Sequence, residues 1–435
     1  MNGRLSLATF LLVLIVVTIP VSLYAGEYSL DDLYRIALER AERIKLSEED
    51  HYIAKTGKDK AVAALVPRLS AFGTYTKYTE EKYNDTGTLL QPDKTSSWGL
   101  RADESLSLSG REITAFNISR DNIVKSQYDL YATREGYLLT IASAYYDVLK
   151  AKKSLDIAES NLERLNQYRN AAEKRLKVGE VTKTVLLRAE GELSGARSDY
   201  VKAKSALELA KSILARTAGI EGDFQLKEAA SEDIQISPES SFQEMAFAGR
   251  ADLKSLEIQK KMAGDQVRFT KGAYWPTLSL SGVYVASNQS PETTTLVKDS
   301  TYGLLSLNFP FFEGGMTRAQ VNEARARERQ SGLLYEDYKK SIGVEVQSAY
   351  LDLVTQKGIL KYLEDQVVYA RDNYNAVTKQ FEFGLAQSLD VMDANTLLVT
   401  AERNLAEAVY NYQLAILKMK KATGTLLKTV IGDRS

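Results

Sequence analysis

The sequence predicts a mainly α-helical protein in which one unit, a helix followed by a β-hairpin and a long helical hairpin, occurs twice. Three observations support this prediction. Matching motifs recur 205 positions apart, at Ser143/Ser348, Gly179/Gly384 and Gly219/Gly424. Between these motifs, apolar residues return every seven positions, a period typical of long helices that pack side by side. Two further stretches in each copy alternate between apolar and polar residues, which indicates β-strands.

The seven-residue period locates the longest helix of each copy. It runs through Ile141, Val148, Leu155 and Leu162 in the first copy, and through Val346, Leu353, Leu360 and Val367 in the second. A helix over 111–177 would be about 100 Å long at 1.5 Å per residue. Helices over 29–66 and 182–218 would be about half that length, so two of them stacked end to end match the long one.

Proline and glycine separate these elements. Pro67 ends the first helix, and the alternating stretches after it form a hairpin at about 67–110. Pro276 has the same place in the second copy, before a hairpin at about 276–312. A glycine follows each long helix at the turns 178–182 and 383–388, where it supplies the positive φ that ends a helix.

The chain therefore divides into five parts. We expect a signal peptide at 1–25, a first repeat at 26–220, a connector with some short helix at 221–250, a second repeat at 251–426 and a tail at 427–435. The signal peptide is indicated by Arg4, the apolar run 7–19, Pro20 and the small residue Ala25. The alternative is an uncleaved membrane anchor, because the run is nearly long enough to span a bilayer. No other stretch has that character, so the mature chain is expected either to be soluble or to cross a membrane as β-strands.

Composition excludes several classes of function. A formal charge of −1 indicates neither nucleic-acid binding nor a basic membrane anchor. The chain has no cysteine, which removes disulfides, thiolate metal sites and cysteine nucleophiles. Since His51 is the only histidine, a multi-histidine metal site is excluded and a catalytic triad would need that residue. We therefore expect no cofactor, no metal site and no enzymatic activity.

The strands indicate a membrane. A lone hairpin is marginal in water, and the four strands of one chain are too few to close a barrel. Secreted strands of about ten residues, with aromatic residues near their ends, fit an outer-membrane barrel assembled from several chains. Candidates for the aromatic girdle are Tyr75, Tyr78, Tyr83, Trp98, Tyr274, Trp275, Tyr284 and Tyr302. For each of them the alternative is ordinary strand packing.

The segments 381–394 and 401–426, together with the duplicated order of elements, resemble the TolC family of outer-membrane efflux proteins. The resemblance covers essentially the whole mature chain. It implies a homotrimer in which each chain gives four strands to a 12-stranded transmembrane β-barrel, continued by a periplasmic α-helical barrel. It also implies that the helix tips dock with a periplasmic adaptor, which is coupled to an inner-membrane pump.

The resemblance assigns roles to residues at the two turns. Adaptor contacts are expected at Val178, Gly179, Glu180, Val181, Thr182, Phe383, Gly384, Leu385, Ala386, Gln387 and Ser388. Asp390 and Asp393 match two acids that line the periplasmic entrance of the channel. Their spacing places both carboxylates on one helix face, and threefold symmetry would stack them as two rings. The alternative is that acids early in a helix favour its positive end.

Three positions depart from the family pattern. The family gate is held shut partly by an arginine and a tyrosine near the second turn and by an aspartate in the first repeat. Here these positions are Ala386, Phe381 and Val185. The closing network is therefore expected to differ, or the resting channel to be looser, with Lys183 and Arg188 as candidate cationic substitutes.

Two functions remain in view. The leading one is a passive exit channel in the cell outer membrane that extends into the periplasm and serves a tripartite efflux or type I secretion system. Its cargo could be small molecules, metal ions or protein. The second is a periplasmic coiled-coil scaffold or adaptor without a pore, which leaves the two alternating hairpins unexplained.

Overall fold

A computed structural model describes residues 26–228, 234–293 and 296–432. The signal peptide expected at 1–25 and the end of the tail lie outside these ranges. The first copy contains β1 (Gly26–Tyr28), α1 (Leu30–Arg40), α2 (Glu42–Ala63), β2 (Arg68–Lys77), β3 (Lys82–Tyr83), β4 (Leu89–Gln91), β5 (Lys94–Ser107), α3 (Arg111–Lys177) and α4 (Lys183–Ala218). The connecting strand and the second copy contain β6 (Phe224–Leu226), α5 (Glu239–Gly249), α6 (Ala251–Lys271), β7 (Thr277–Ser290), β8 (Asp299–Asn308), α7 (Met316–Glu382), α8 (Ser388–Ala422) and α9 (Leu426–Ile431).

The duplicated helical hairpin is confirmed. Helices α3 and α7 have 67 residues each, and both their first and their last residues are 205 positions apart. The seven-residue period corresponds to burial, since Ile141, Val148, Val346 and Leu353 are all buried. None of the helices in the described parts of the chain combines the length and the apolar character needed to cross a membrane.

The first helix of each copy is broken, so the single helix predicted over 29–66 is wrong. Ala41 has extended backbone (φ −63°, ψ 125°) between α1 and α2. Arg250 has almost the same conformation (φ −67°, ψ 124°) between α5 and α6, 209 positions later. The same offset separates Pro67 from Pro276. Helix α5 is therefore the counterpart of α1, although it lies in the range expected to be a connector.

Buried charges hold the second break in place. Arg250 is only 2% exposed, and its guanidinium donates to both carboxylate oxygens of Asp252 at 3.0 and 2.6 Å. It also donates to Glu345 on α7 at 2.6 Å and to the carbonyl oxygen of Ala422 at 3.3 Å. A buried guanidinium needs such partners, because an unpaired charge in the interior is costly. The network therefore ties the extended residue to α6, α7 and α8.

The hydrophobic core lies where the helices of each copy meet around these breaks. In the first copy, Leu33, Leu138, Tyr145 and Leu214 are fully buried members of one cluster, which joins α1, α3 and α4. The second copy has an equivalent cluster that joins α5, α6, α7 and α8. Strand β6 pairs in parallel with β1 and adds Phe224 to the first cluster, a pairing that the sequence pattern did not indicate.

The two β-hairpins form one antiparallel sheet in the order β2-β5-β7-β8. The central pair β5/β7 joins the two copies along 14 residue pairs, from Lys94↔Ser290 to Ser107↔Thr277. Within the described residues, β2 and β8 each pair with a single neighbour, so both edges of the sheet are open. Each protomer therefore presents two strand edges that can accept a further strand.

The two faces of this sheet differ in polarity. One face carries most of the large apolar side chains: Leu69, Leu100, Leu278, Leu280, Tyr284, Leu305 and Leu307. On the other face, Thr74 bonds to Ser97 at 2.6 Å and Ser281 donates to Asp103 at 2.6 Å. Of the girdle candidates, Trp98 and Tyr284 lie on the apolar face with their rings 5.7 Å apart. Tyr302 is opposite Val283 on the other face, so it does not belong with them.

Candidate functional site at the helix turns

Each helical hairpin ends in a turn closed by a glycine with positive φ. After α3, Gly179 has φ 79°, its N–H donates to the Leu176 carbonyl, and the Glu180 N–H donates to the Arg175 carbonyl at 2.9 Å. After α7, Gly384 has φ 73° and the equivalent bonds are present, with Leu385 N–H donating to Gln380 at 2.8 Å. This double hydrogen-bond pattern is the Schellman motif. The predicted role of both glycines in ending the helices is confirmed.

The two turns lie side by side and enclose an open groove of about 1030 Å³. Eight of the eleven residues assigned to the tips line it: Glu180, Val181, Thr182, Phe383, Gly384, Ala386, Gln387 and Ser388. Val178 and Leu385 lie outside the groove and are 70% and 79% exposed, while Phe383 is 80% exposed. The end of the protomer therefore carries three exposed apolar side chains beside a polar groove.

Arg175 connects the two turns, and sequence patterning missed it. Its Nη1 donates to the Phe381 carbonyl at 3.1 Å and its Nη2 donates to the Glu382 carbonyl at 3.2 Å. These carbonyls belong to the last turn of α7, where helical N–H partners are missing and a cation is favoured. The guanidinium also lies 5.0 Å from the centroid of the Phe381 ring. The Arg175 side chain thus caps the C-terminal end of the other long helix, α7.

A second connection uses Tyr168 on α3. Its hydroxyl donates to the Ser388 hydroxyl at 2.8 Å, and its ring lies 5.6 Å from that of Phe381. Burial raises the pKa of the Tyr168 phenol, so the group stays protonated as a donor. The first residue of α8 is therefore attached to α3 about two turns before Arg175.

The three positions that depart from the family gate lie in one apolar cluster. Phe381 is buried there, and Val185 and Ala386 pack against the same cluster with half-buried side chains. The candidate substitutes Lys183 and Arg188 are exposed, and only Arg188 lines the groove. Apolar packing therefore replaces polar contacts at these positions within the protomer.

Asp390 and Asp393 lie on the exposed side of α8, in its first and second turns respectively. A carboxylate oxygen of Asp390 accepts a hydrogen bond from the Gln387 backbone N–H at 2.7 Å. Asp390 therefore caps the start of α8, which was the alternative reading of this residue. The cap leaves its second carboxylate oxygen available, and the exposure of both residues is compatible with an additional role at an entrance.

A polar ladder joins the helical hairpins above the turns. Asn395 on α8 donates to Asn161 on α3 at 2.9 Å, and it accepts from Arg164 at 3.2 Å. Arg164 also lies 3.7 Å from Glu402, which bonds to Arg371 at 3.1 Å. Asn161 and Arg164 lie beside Leu162 rather than on the seven-residue series, so the apolar period gave no signal for this ladder. In the described parts of the chain, no group of three or more His, Cys, Asp or Glu could hold a metal ion.

Comparison with known proteins identifies this architecture. The family model described as outer membrane efflux protein matches residues 33–219 and 243–425. The outer membrane protein TolC of Vibrio cholerae is 25% identical over 316 residues, which cover 71% of this chain and 72% of that protein. The alkaline protease secretion protein AprF of Pseudomonas aeruginosa is 22% identical over 408 residues, covering 91% and 84%.

Solved structures show the same fold. The CusC crystal structure superimposes with a TM-score of 0.81 at 20% identity and covers 92% of this chain and 93% of that one. The Campylobacter jejuni CmeC outer membrane channel has a TM-score of 0.83 at 17% identity, with coverage of 91% and 86%. Since the family model covers both repeats, this chain belongs to the outer membrane efflux protein family.

Proposed function

We propose that three copies of this chain form one outer-membrane exit channel, which receives cargo from an inner-membrane pump through a periplasmic adaptor. The observation that carries this proposal is the four-stranded sheet, which has one apolar face and two open edges. In a lipid bilayer every strand edge must be paired, so β8 of one protomer needs a strand such as β2 of the next. Three sheets of four strands make the 12-stranded barrel that the family resemblance implies.

The tips supply the surface for the adaptor in this proposal. Val178, Phe383 and Leu385 are large, apolar and exposed, and the two Schellman turns fix their positions. Exposed apolar groups beside polar ones are typical of protein interfaces. Asp390 and Asp393 then form the carboxylate rings at the entrance, where they favour cations over anions.

In this proposal the inner-membrane pump, and not the channel, determines which cargo is exported. Among the relatives, one is named a cation efflux system protein and another an alkaline protease secretion protein. Both kinds of cargo are thus associated with this architecture, and a wide passive channel suits either. We assign the energy and the specificity of transport to the inner-membrane partner.

The proposal is tested on detergent-purified full-length protein. We expect a trimer in native mass spectrometry and ion conductance in planar bilayers. We also expect the mobility of the protein in a denaturing gel to change when the sample is heated, as folded barrels do and soluble scaffolds do not. A monomer that stays in solution without detergent and conducts no ions would instead support the scaffold without a pore.

Adaptor docking needs a separate test in cells. A photo-crosslinking amino acid at Phe383 or Leu385 should give adducts with a periplasmic adaptor, identified by mass spectrometry. The matched control is Val201, which is exposed on α4 away from the turns. Equal crosslinking from Val201 would contradict docking at the tips.

A further inference from the structure

A basic groove lies at the opposite end of the long helices from the turns. It runs between the last turn of α6 and the first turns of α7 and has a volume of about 460 Å³. The residues that matter for its chemistry are Lys271, Tyr274, Trp275, Arg318, Asn322 and Arg325. Because α7 is about 100 Å long, this groove is remote from the tips.

The three cations of the groove have no anionic partner. The side chains of Lys271, Arg318 and Arg325 form no salt bridge or hydrogen bond with any other residue in 26–228, 234–293 or 296–432. Of the acids nearby in sequence, Asp265 pairs with Arg268, Glu313 accepts from Thr317 and Glu323 pairs with Arg327. Among the residues that the structure describes, no carboxylate lines the groove, and this includes Glu328, three residues after Arg325. Three like charges around one cavity repel one another, and a bound anion would relieve that repulsion.

The groove is level with the boundary between sheet and helices. The exposed rings of Tyr274 and Trp275 form its wall, immediately before β7 begins. The connection from β8 to α7, just before the helix that carries Arg318, contains Phe311 and Phe312, which are 88% and 79% exposed. Exposed aromatic rings next to an apolar sheet face are typical of the membrane–water interface.

We propose that this groove binds the phosphate of an anionic phospholipid, of the phosphatidylglycerol class, in the periplasmic leaflet of the outer membrane. Lys271, Arg318 and Arg325 provide the charge, since clustered basic residues at a membrane surface recognise anionic headgroups. The Trp275 ring covers the glycerol and the start of the acyl chains. A phospholipid is favoured over free phosphate because the exposed rings of Tyr274 and Trp275 line the groove, and inorganic phosphate would leave them uncovered.

The chain offers its own reporter for this proposal. It contains two tryptophans, so Trp98→Phe leaves Trp275 as the only indole. The full-length Trp98→Phe protein is reconstituted in phosphatidylethanolamine vesicles that contain a minor fraction of brominated phosphatidylglycerol or of brominated phosphatidylethanolamine. We expect brominated phosphatidylglycerol to quench Trp275 at a concentration at least about fivefold lower, the factor that one basic residue near an anionic surface supplies.

The decisive variant is Lys271→Gln/Arg318→Gln/Arg325→Gln in the same background, in which this preference should disappear. Its matched control is Arg197→Gln/Lys204→Gln/Lys361→Gln, which removes three exposed cations from the helices far from the sheet and should keep the preference. Both variants should remain conducting trimers, so failure of the lipid site is distinguishable from failure of the proposed channel.

Four results would overturn the proposal. Equal quenching by both lipids means that the groove does not select the headgroup, and no quenching by either means that it faces the lumen. Loss of the preference on adding millimolar inorganic phosphate identifies a simple anion site. If the decisive variant lowers thermal stability equally in vesicles with and without phosphatidylglycerol, the cations pair with the neighbouring protomer instead.

Discussion

Arg175 Nη1 lies 3.1 Å from the carbonyl oxygen of Phe381, so the last turn of α3 is joined directly to the last turn of α7. The contact crosses between the two structural repeats, and it uses a side chain from one and a backbone group from the other. It therefore couples the two turns that we propose as the adaptor-binding tip.

Arg175→Ala should loosen this coupling. The variant loses two charge-assisted hydrogen bonds to α7 carbonyls, so the amides of 383–385 should exchange about tenfold faster in hydrogen–deuterium exchange. Arg169→Ala is the control, because Arg169 bonds to Glu173 within α3 and to Glu190 on α4, not to the second repeat. Similar exchange at 383–385 in wild type and Arg175→Ala would show that the connection is dispensable.

Alanine should lower the stability of the protein at the two turn glycines and raise it at a glycine inside a helix. Gly179→Ala and Gly384→Ala should each destabilise by about 1 kcal/mol, because both residues have positive φ. Apart from the adjacent residues, no atom of the described part of the chain lies within 4 Å of a Cβ added at either position, so we attribute the effect to backbone strain. Gly358→Ala, equally open but inside α7, should stabilise by about 0.5–1 kcal/mol. Thermal unfolding of the three variants measures the contrast, and a stabilising turn variant would contradict the assigned φ.

Asp390→Asn/Asp393→Asn should weaken the cation preference of the channel. An asparagine oxygen at 390 can still accept from the Gln387 N–H, so the helix cap is kept while both charges are removed. Reversal potentials in planar bilayers under a salt gradient measure the preference. The control Glu364→Gln/Asp365→Asn removes two exposed charges higher on α7. Unchanged selectivity in the first variant would count against the carboxylate rings.

Arg250→Met should be among the most destabilising single substitutions, at about 2 kcal/mol, because it removes the buried cation shared by Asp252 and Glu345. The cost stays below that of a fully buried pair because both acids are partly exposed, and Tyr338 and Lys421 remain as their partners. Arg327→Met should cost under about 0.5 kcal/mol, since its pair with Glu323 is exposed. Chemical denaturation of both variants tests this difference. If Arg250→Met destabilises the protein no more than Arg327→Met does, the Arg250 network does not stabilise the helix break.

Because of the same network, the stability of the protein should depend on pH in the acid range. Burial alone raises the pKa of Asp252, but hydrogen bonds from Arg250 and Tyr338 outweigh it and hold that pKa below its ordinary value. A lowered carboxyl pKa contributes stability above the unfolded value of about 4, and this stability is lost as the pH falls through the folded pKa. The stability difference between wild type and Arg250→Met should therefore shrink below about pH 4.

The contribution of Glu135 to stability should depend on pH in the opposite direction. It is buried on α3, and this burial raises its pKa, although the N–H groups at the start of α9 oppose the shift. A carboxyl with a raised pKa contributes its stability below the unfolded value, and loses it as the pH rises through the folded pKa. Glu135→Gln should therefore raise the melting temperature at pH 8 by a few degrees and leave it unchanged near pH 4. A gain of the same size at both pH values would exclude titration as the cause.

The sequence by itself determined the elements that depend on local chemistry. The seven-residue period specified α3 and α7, because only one helix face can be buried against neighbours. Pro67 and Pro276 separated helix from strand, and Gly179 and Gly384 marked both turns, because each of these residues restricts or permits particular backbone angles. The resemblance of 381–394 then led to the family.

Only the tertiary structure decided the features that depend on residues distant in sequence. Ala41 and Arg250 have extended backbone with no local signal at Ala41, because packing on the long helices and the buried Arg250 network set the break. The partners of Arg175 are backbone carbonyls 206 and 207 positions away, which no periodicity can reveal. Local backbone preferences are encoded residue by residue, whereas a contact between two repeats exists only once the fold has brought them together.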